Sequence, residues 1–250
     1  MTAAPRSGDG QPAGTDVHRV LTEGEMEVHG RIAGSSNVTL LVTVRHGDEE
    51  LLAVYKPAQG ERPLWDFPSG LHRREVAAYE LSSLLGWDLV PETVEREEAP
   101  YGPGSVQRFV DEDGESHYFT LRDEPAWRES LVAMAAFDVV ANNADRKSGH
   151  VLLAEERLWA IDNGLCFHEE PKLRTVIWDF AGQPLAERLR ADLDRVVGAD
   201  RDQLVATLGR LLDHDELAAT VERAGRLADE GALPVPDDDG RWPPYPWPLV

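Results

Sequence analysis

The sequence predicts an α+β fold of two lobes, a β-rich first half with one helix and a mainly helical second half. Short runs of β-branched and aromatic residues crowd the stretch from Met26 to Val110. Helical periodicity dominates beyond residue 112. One helix interrupts the first half and one β-hairpin interrupts the second.

Residues 1–16 are small, polar and rich in Gly and Pro, and read as disordered. Residues 17–111 form the first lobe. A strand from Met26 to Ile32 precedes Val38–Val44 and Leu51–Tyr55, which the turn-like His46–Glu50 separates into a meander. A loop holding Pro57, Gly60, Pro63, Pro68 and Gly70 leads into a helix over Arg73–Leu85 that stops at Gly86. Two β-like pieces follow, Glu92–Arg96 and Ser105–Val110.

Residues 112–232 form the second lobe. Leu131, Met134, Ala135, Phe137 and Asp138 recur at helical spacing between Trp127 and Asn142. A polar loop, Asn142–Gly149, separates this helix from two short strands, His150–Leu153 and Leu158–Ile161. Three amphipathic segments carry Leu185, Leu189 and Leu193, then Leu204, Leu208, Leu211 and Leu212, then Leu217, Val221 and Leu227. The tail, 233–250, is dense in Pro and Trp, and is expected to lie extended with its aromatics docked.

Composition narrows the partners. The 250 residues carry 25 basic and 46 acidic side chains, a net charge of −21. Such a field repels nucleic acid and anionic membranes, and no Lys/Arg run offsets it. Cys166 is the single cysteine, so disulfides do not hold the fold, and the start of the chain lacks the apolar core of a secretory signal. A cytoplasmic protein is the expectation.

Four pieces carry chemistry. Gly30–Asn37 is a turn of small residues between strands, suited to bring backbone N–H groups and the Ser35, Ser36 and Asn37 side chains to phosphate oxygens. Lys56 ends an apolar strand, where its ammonium can neutralise phosphate charge, and Glu75 follows 19 residues later at the start of a helix, with Glu80 as its competitor for the ammonium. Asp145 sits in the polar loop, where a carboxylate can orient a hydroxyl or take its proton, with Arg146 and Lys147 offering positive charge beside it. Asp162-Asn163-Gly164 ends the next strand, a carboxylate and flexible turn suited to a metal that bridges phosphates. H-x-x-x-H pairs, a G-x-S-x-G elbow and a P-loop are absent, and Asp237–Gly240 reads as a solvated acidic turn.

Together these pieces stand in the order and at the spacings of a kinase. Their wording resembles the atypical kinases of the phosphatidylinositol 3-/4-kinase-like and HipA-like group. The strings Val54-Tyr-Lys-Pro57, Arg74-Glu-Val-Ala-Ala-Tyr-Glu-Leu81, Asn143-Ala-Asp-Arg-Lys147 and Ile161-Asp-Asn-Gly-Leu165 resemble a small actinobacterial branch of it, the SCO-type proteins. The resemblance implies a bilobal protein-kinase-like fold using ATP and Mg²⁺. It implies Lys56 as the phosphate lysine, Glu75 as its partner, Asp145 as the catalytic carboxylate and Asp162 as a metal ligand. Ser105–Val110 would enter the hinge, placing Phe109 and Val110 beside adenine. His150 stands where the pattern has a metal-binding Asn; as an imidazole it is the second candidate metal ligand, with a hydrogen bond to Asp145 or a one-metal site as the alternatives. The implied activity is ATP-dependent phosphate transfer to a hydroxyl of a protein or small soluble acceptor. A nucleotide-binding pseudokinase that regulates a partner, and AMP transfer by the same residues, remain alternatives at this level. The acidic surface argues against a membrane lipid as acceptor.

Overall fold

The computed structural model describes residues 16–112, 114–236 and 244–249. The reading of residues 1–15 as disordered, the Asp237–Gly240 turn and Trp242 lie outside them.

A five-stranded antiparallel sheet, order β1-β2-β3-β5-β4, builds the first half. Its strands are β1 (Glu25–Arg31), β2 (Leu40–His46), β3 (Glu49–Pro57), β4 (Thr93–Arg96) and β5 (Gly104–Arg108). Alternation along β2 and β3 sends Val42, Val44, Leu51, Ala53 and Tyr55 to one buried face, where Val20 and Leu21 cover them. Val20 and Leu21 belong to α1 (Val17–Glu23), a helix the sequence pattern did not announce. Asp16 caps it, its side chain accepting from Arg19 N at 3.1 Å.

Helix α2 (Leu71–Leu85) begins two residues earlier than the pattern suggested. Its N-cap is Gly70, left-handed at φ 95°, which offers no capping side chain. Glu61 caps in its place: its carboxylate accepts from Gly70 N at 2.9 Å and His72 N at 2.8 Å. The helix ends at Gly86, φ 71°, where only a residue without Cβ adopts the turn cheaply.

In the second half, the short α3 (Tyr118–Leu121) precedes α4 (Arg128–Ala141). Leu131, Met134 and Phe137 of α4 are fully buried and form the centre of the main core with α2 and the C-terminal helices. A hairpin of β6 (Val151–Ala154) and β7 (Arg157–Ala160) follows. Then come α5 (Glu187–Val197), α6 (Arg201–Leu208) and α7 (His214–Glu230). Leu185, Leu211 and Leu212, read from the sequence as helical, are buried just outside these helices. Among the described residues no helix is long and apolar enough to cross a membrane.

The tail departs from expectation. Tyr245 and Trp247 are exposed, Trp247 by 88%. Buried Pro246 and backbone carbonyls hold the segment instead: Pro244 O accepts from Thr175 N at 3.0 Å, and Leu249 O from Ser148 N at 2.9 Å.

One buried ion pair organises the second half. Asp138 interrupts the apolar face of α4, and its partner is Arg146, both at 0% exposure. Arg146 Nε donates to Asp138 Oδ1 at 3.1 Å, Nη2 to Asn163 Oδ1 at 2.6 Å, and Nη1 to Ile161 O at 2.7 Å. Thr175 Oγ1 and Asn143 Nδ2 donate to the same aspartate. Removing one partner strands a buried charge, so Arg146→Ala is expected to lose about 3–5 kcal/mol in denaturant melts. Arg146→Met combined with Asp138→Leu is expected to lose less than the sum of the two single changes, a coupling readable from a double-mutant cycle.

Candidate active site

The central strand β3 carries Lys56 near its C-terminal end, and its alternation sets the ammonium on the face opposite buried Tyr55. Gly104 of β5 lies against this strand end, and a Cβ there would collide with the Lys56 carbonyl. The Lys56 ammonium meets two carboxylates. It pairs with Glu75, one turn into α2, and with Asp162 Oδ1 at 2.8 Å. Glu80, the alternative partner in the sequence, points elsewhere and pairs with Arg210. Glu75 has a second duty, accepting from Asn163 N at 3.0 Å. The helix carboxylate therefore fixes both the lysine and the turn that carries Asp162.

Asp162 stands at φ 56°, a left-handed conformation that residues with a Cβ seldom adopt. The strain persists because Asn163 is locked on both sides, by Glu75 and by Arg146. Asp162 itself is half-exposed and faces the cleft.

Asp145 reaches the same cleft from the loop after α4. Asn142 ends that helix in a left-handed turn at φ 51°. Asn143 Oδ1 then accepts from Asp145 N at 2.9 Å, and Lys147 Nζ pairs with Asp145 Oδ2 at 2.7 Å. A cavity of about 280 Å³ has Lys56, Glu75, Asp145 and Asp162 in its walls together with Ser35, Ser36 and Asn37. Asn37 also holds the next loop in place, its Oδ1 accepting from Arg62 N at 2.9 Å.

The charges shape one another. Burial alone would lower the Lys56 pKa, but Asp162 and Glu75 outweigh it and hold the ammonium above its ordinary range. The Lys56 charge pulls Asp162 well below the usual carboxylate range. Desolvation pushes Glu75 and Asp145 upward. His150 lies 3.4 Å from Asp162 Oδ2, and burial lowers its pKa to about 4, so its imidazole is neutral near pH 7.

One expectation needs correction. Arg146 turns into the core and cannot offer its charge to a phosphoryl group, because Asp138, Ile161 and Asn163 consume it. Phe109 and Val110 lie beyond β5 and outside the walls of this cavity. Phe109 N donates to Leu52 O at 3.0 Å, and Val110 packs with Leu152, Ala154 and Trp159 of the hairpin. The segment Arg174–Phe180 packs inward through Thr175, Val176, Ile177 and Phe180.

The donor set suits a hard divalent cation. Among the described residues no group of three or more His, Cys, Asp or Glu could cage a metal. Mg²⁺ commonly binds through one or two carboxylates and completes its shell with water and substrate phosphate. The half-exposed Asp162, facing a cleft that also holds Asp145, fits that habit.

Sequence reasoning passed over Glu61, whose carboxylate braces the start of α2 and lines the same cavity. Burial raises its pKa, but the contacts with His72 Nδ1 and the backbone N–H groups win and hold it near about 2. A folded-state pKa below the ordinary 4.5 gives stability above pH 4.5 that disappears as the pH falls toward 2. Glu61→Gln is expected to cost about 2 kcal/mol near neutrality. Melting curves of variant and wild type are expected to converge in acid, and a gap that stays constant with pH would contradict the charge-based cap.

No protein-family model matches the chain. Protein Rv2133c of Mycobacterium tuberculosis (strain ATCC 25618 / H37Rv) is 37% identical over an alignment of 268 positions, covering 93% of this chain and 95% of that protein. Among solved structures, the Golgi casein kinase with Mn/ADP bound superposes with a TM-score of 0.55 at 15% identity, over 85% of this chain and 74% of that one. The Helicobacter pylori proinflammatory kinase CtkA superposes with a TM-score of 0.52 at 12% identity, over 85% of this chain and 94% of that one. Identities this low carry the fold, and the fold is kinase-like. On sequence, the chain belongs to the family of protein Rv2133c.

Proposed function

We propose that the chain is an ATP-dependent phosphotransferase that moves the γ-phosphoryl group of ATP onto a hydroxyl of a protein or small soluble acceptor. The observation that carries this reading is the Lys56 ammonium held between Glu75 and Asp162 in a cleft whose wall also includes Asp145. The ADP bound to the Golgi casein kinase supports a nucleotide as the ligand of such a cleft. The wording of Asp145-Arg-Lys and Asp162-Asn-Gly supports a place among the phosphatidylinositol 3-/4-kinase-like and HipA-like kinases.

In this reading Lys56 neutralises phosphate charge, and Glu75 keeps its ammonium from swinging away. The turn at Ser35, Ser36 and Asn37 covers the phosphates. Asp145 orients the acceptor hydroxyl and receives its proton as the new O–P bond forms and the bond to the ADP oxygen breaks. Its raised pKa makes it a better base than an exposed aspartate. Lys147 balances the charge of Asp145 before substrate arrives and remains beside the reacting groups. Asp162 would hold Mg²⁺, which would offset phosphate charge in the cleft.

The test begins with a thermal shift on adding ATP and Mg²⁺, which is expected to stabilise the wild type and not Lys56→Ala. Turnover, read as autophosphorylation or ADP release, is expected to fall by roughly 10²–10⁴-fold in Asp145→Ala while the thermal shift persists. Undiminished turnover in that variant would remove Asp145 from the chemistry. Binding without any turnover in the wild type would favour the second reading, a nucleotide-binding regulator, which His150 in place of the patterned Asn supports. A product heavier by an adenylyl group would replace phosphate transfer with AMP transfer.

A further inference from the structure

We propose that His150 serves this site as a hydrogen-bond donor that positions Asp162, not as a metal ligand, so that the centre holds one divalent cation where the kinase pattern holds two. This deepens the phosphotransferase reading, on which the identity of cation and nucleotide rests.

A ring nitrogen that accepts a hydrogen bond carries a lone pair, which leaves the imidazole hydrogen on the other nitrogen. Lys147 N points its hydrogen at His150 Nδ1 across 3.4 Å. A backbone amide can only donate, so Nδ1 supplies the lone pair and the ring hydrogen sits on Nε2. On the other side Nε2 lies 3.4 Å from Asp162 Oδ2. An ionised carboxylate can only accept, so a hydrogen on Nε2 faces a group able to receive it. Both contacts are long, yet their polarities agree.

The backbone leaves the ring little freedom. His150 N donates to Lys147 O at 3.2 Å, and His150 O accepts from Ile161 N at 3.0 Å. Coordination through Nε2 would move the hydrogen to Nδ1 and set it against the Lys147 amide, donor facing donor. An asparagine at this position differs in kind, because its carbonyl oxygen is a hard ligand suited to Mg²⁺. Lys147, paired with Asp145 at 2.7 Å, and Lys56, paired with Asp162, place fixed positive charge on both carboxylates of the cleft. A second dication would have to enter between these ammonium groups, against their charge.

Two measurements test this. The ring nitrogen shifts of His150 in the nucleotide-free protein, read by ¹⁵N NMR near pH 7, are expected to show the Nε2–H tautomer. An Nδ1–H ring would overturn the proposal. With the protein saturated by a non-hydrolysable ATP analogue, Mn²⁺ counted by electron paramagnetic resonance is expected to reach one per wild-type chain and two per His150→Asn chain. Two ions in the wild type, or the same count in both proteins, would overturn the one-cation centre while leaving the phosphotransferase reading intact. Failure of the analogue to bind at all would overturn both the cation count and that reading, and the nitrogen shifts would still decide the tautomer. Should His150→Asn fail to fold, the wild-type count and shifts remain decisive.

Discussion

The guanidinium of Arg146 is the contact on which the geometry of the cleft depends. It is a fully buried cation whose desolvation is offset by Asp138 and by the oxygens of Ile161 and Asn163. Those partners come from α4 and from the two residues flanking Asp162, while Arg146 itself is the residue after Asp145. One planar, rigid group thus fixes the separation of the two candidate carboxylates. A lysine could supply the charge but not the fork of donors that reaches three partners at once.

Charge is distributed with the same economy. A chain of net charge −21 would have to hold an anionic ligand, such as the proposed nucleotide, against its own field. It has only three lysines, Lys56, Lys147 and Lys172, against a background of arginine. Lys56 and Lys147 pair with the carboxylates of the cleft, and Lys172 comes within 4.0 Å of Asp66, in the loop whose Glu61, Arg62 and Leu64 line that cleft. Arginine meanwhile serves buried and bridging duties, as in the Arg74 pair with Glu216 that ties α2 to α7. The compact ammonium stands at the carboxylates of the cleft. The planar guanidinium stands where geometry must not change.

Much of this was legible in the sequence. The strand-ending lysine, the helix carboxylate and the two aspartates stood in order, and the structure gathers all four in one cleft although Lys56 and Asp162 are 106 residues apart. Local pattern could not show which way neighbours face. Arg146 follows Asp145 directly, yet consecutive residues of an extended loop point to opposite sides, and only one of them can reach the cleft. Asp138 was the available signal, a carboxylate on an apolar helix face that demands a buried partner. The pattern ran this strand to Val110 whereas β5 ends at Arg108, because strand ends are where pattern is weakest. The helix α1 was missed because seven residues give periodicity little to work with.

The contacts of the tail set an order of events. Ser148, three residues after Asp145, donates its N–H to Leu249, and Thr175 donates to Pro244. The loop beside the candidate catalytic carboxylate therefore closes on a strand of chain about a hundred positions downstream, a long loop to close. During synthesis the five-stranded sheet can collapse on its own contacts well before that segment leaves the ribosome. The cleft would then exist with one wall finished and the other still waiting, and a nascent chain would gain its final loop geometry only after residues 244–249 have emerged.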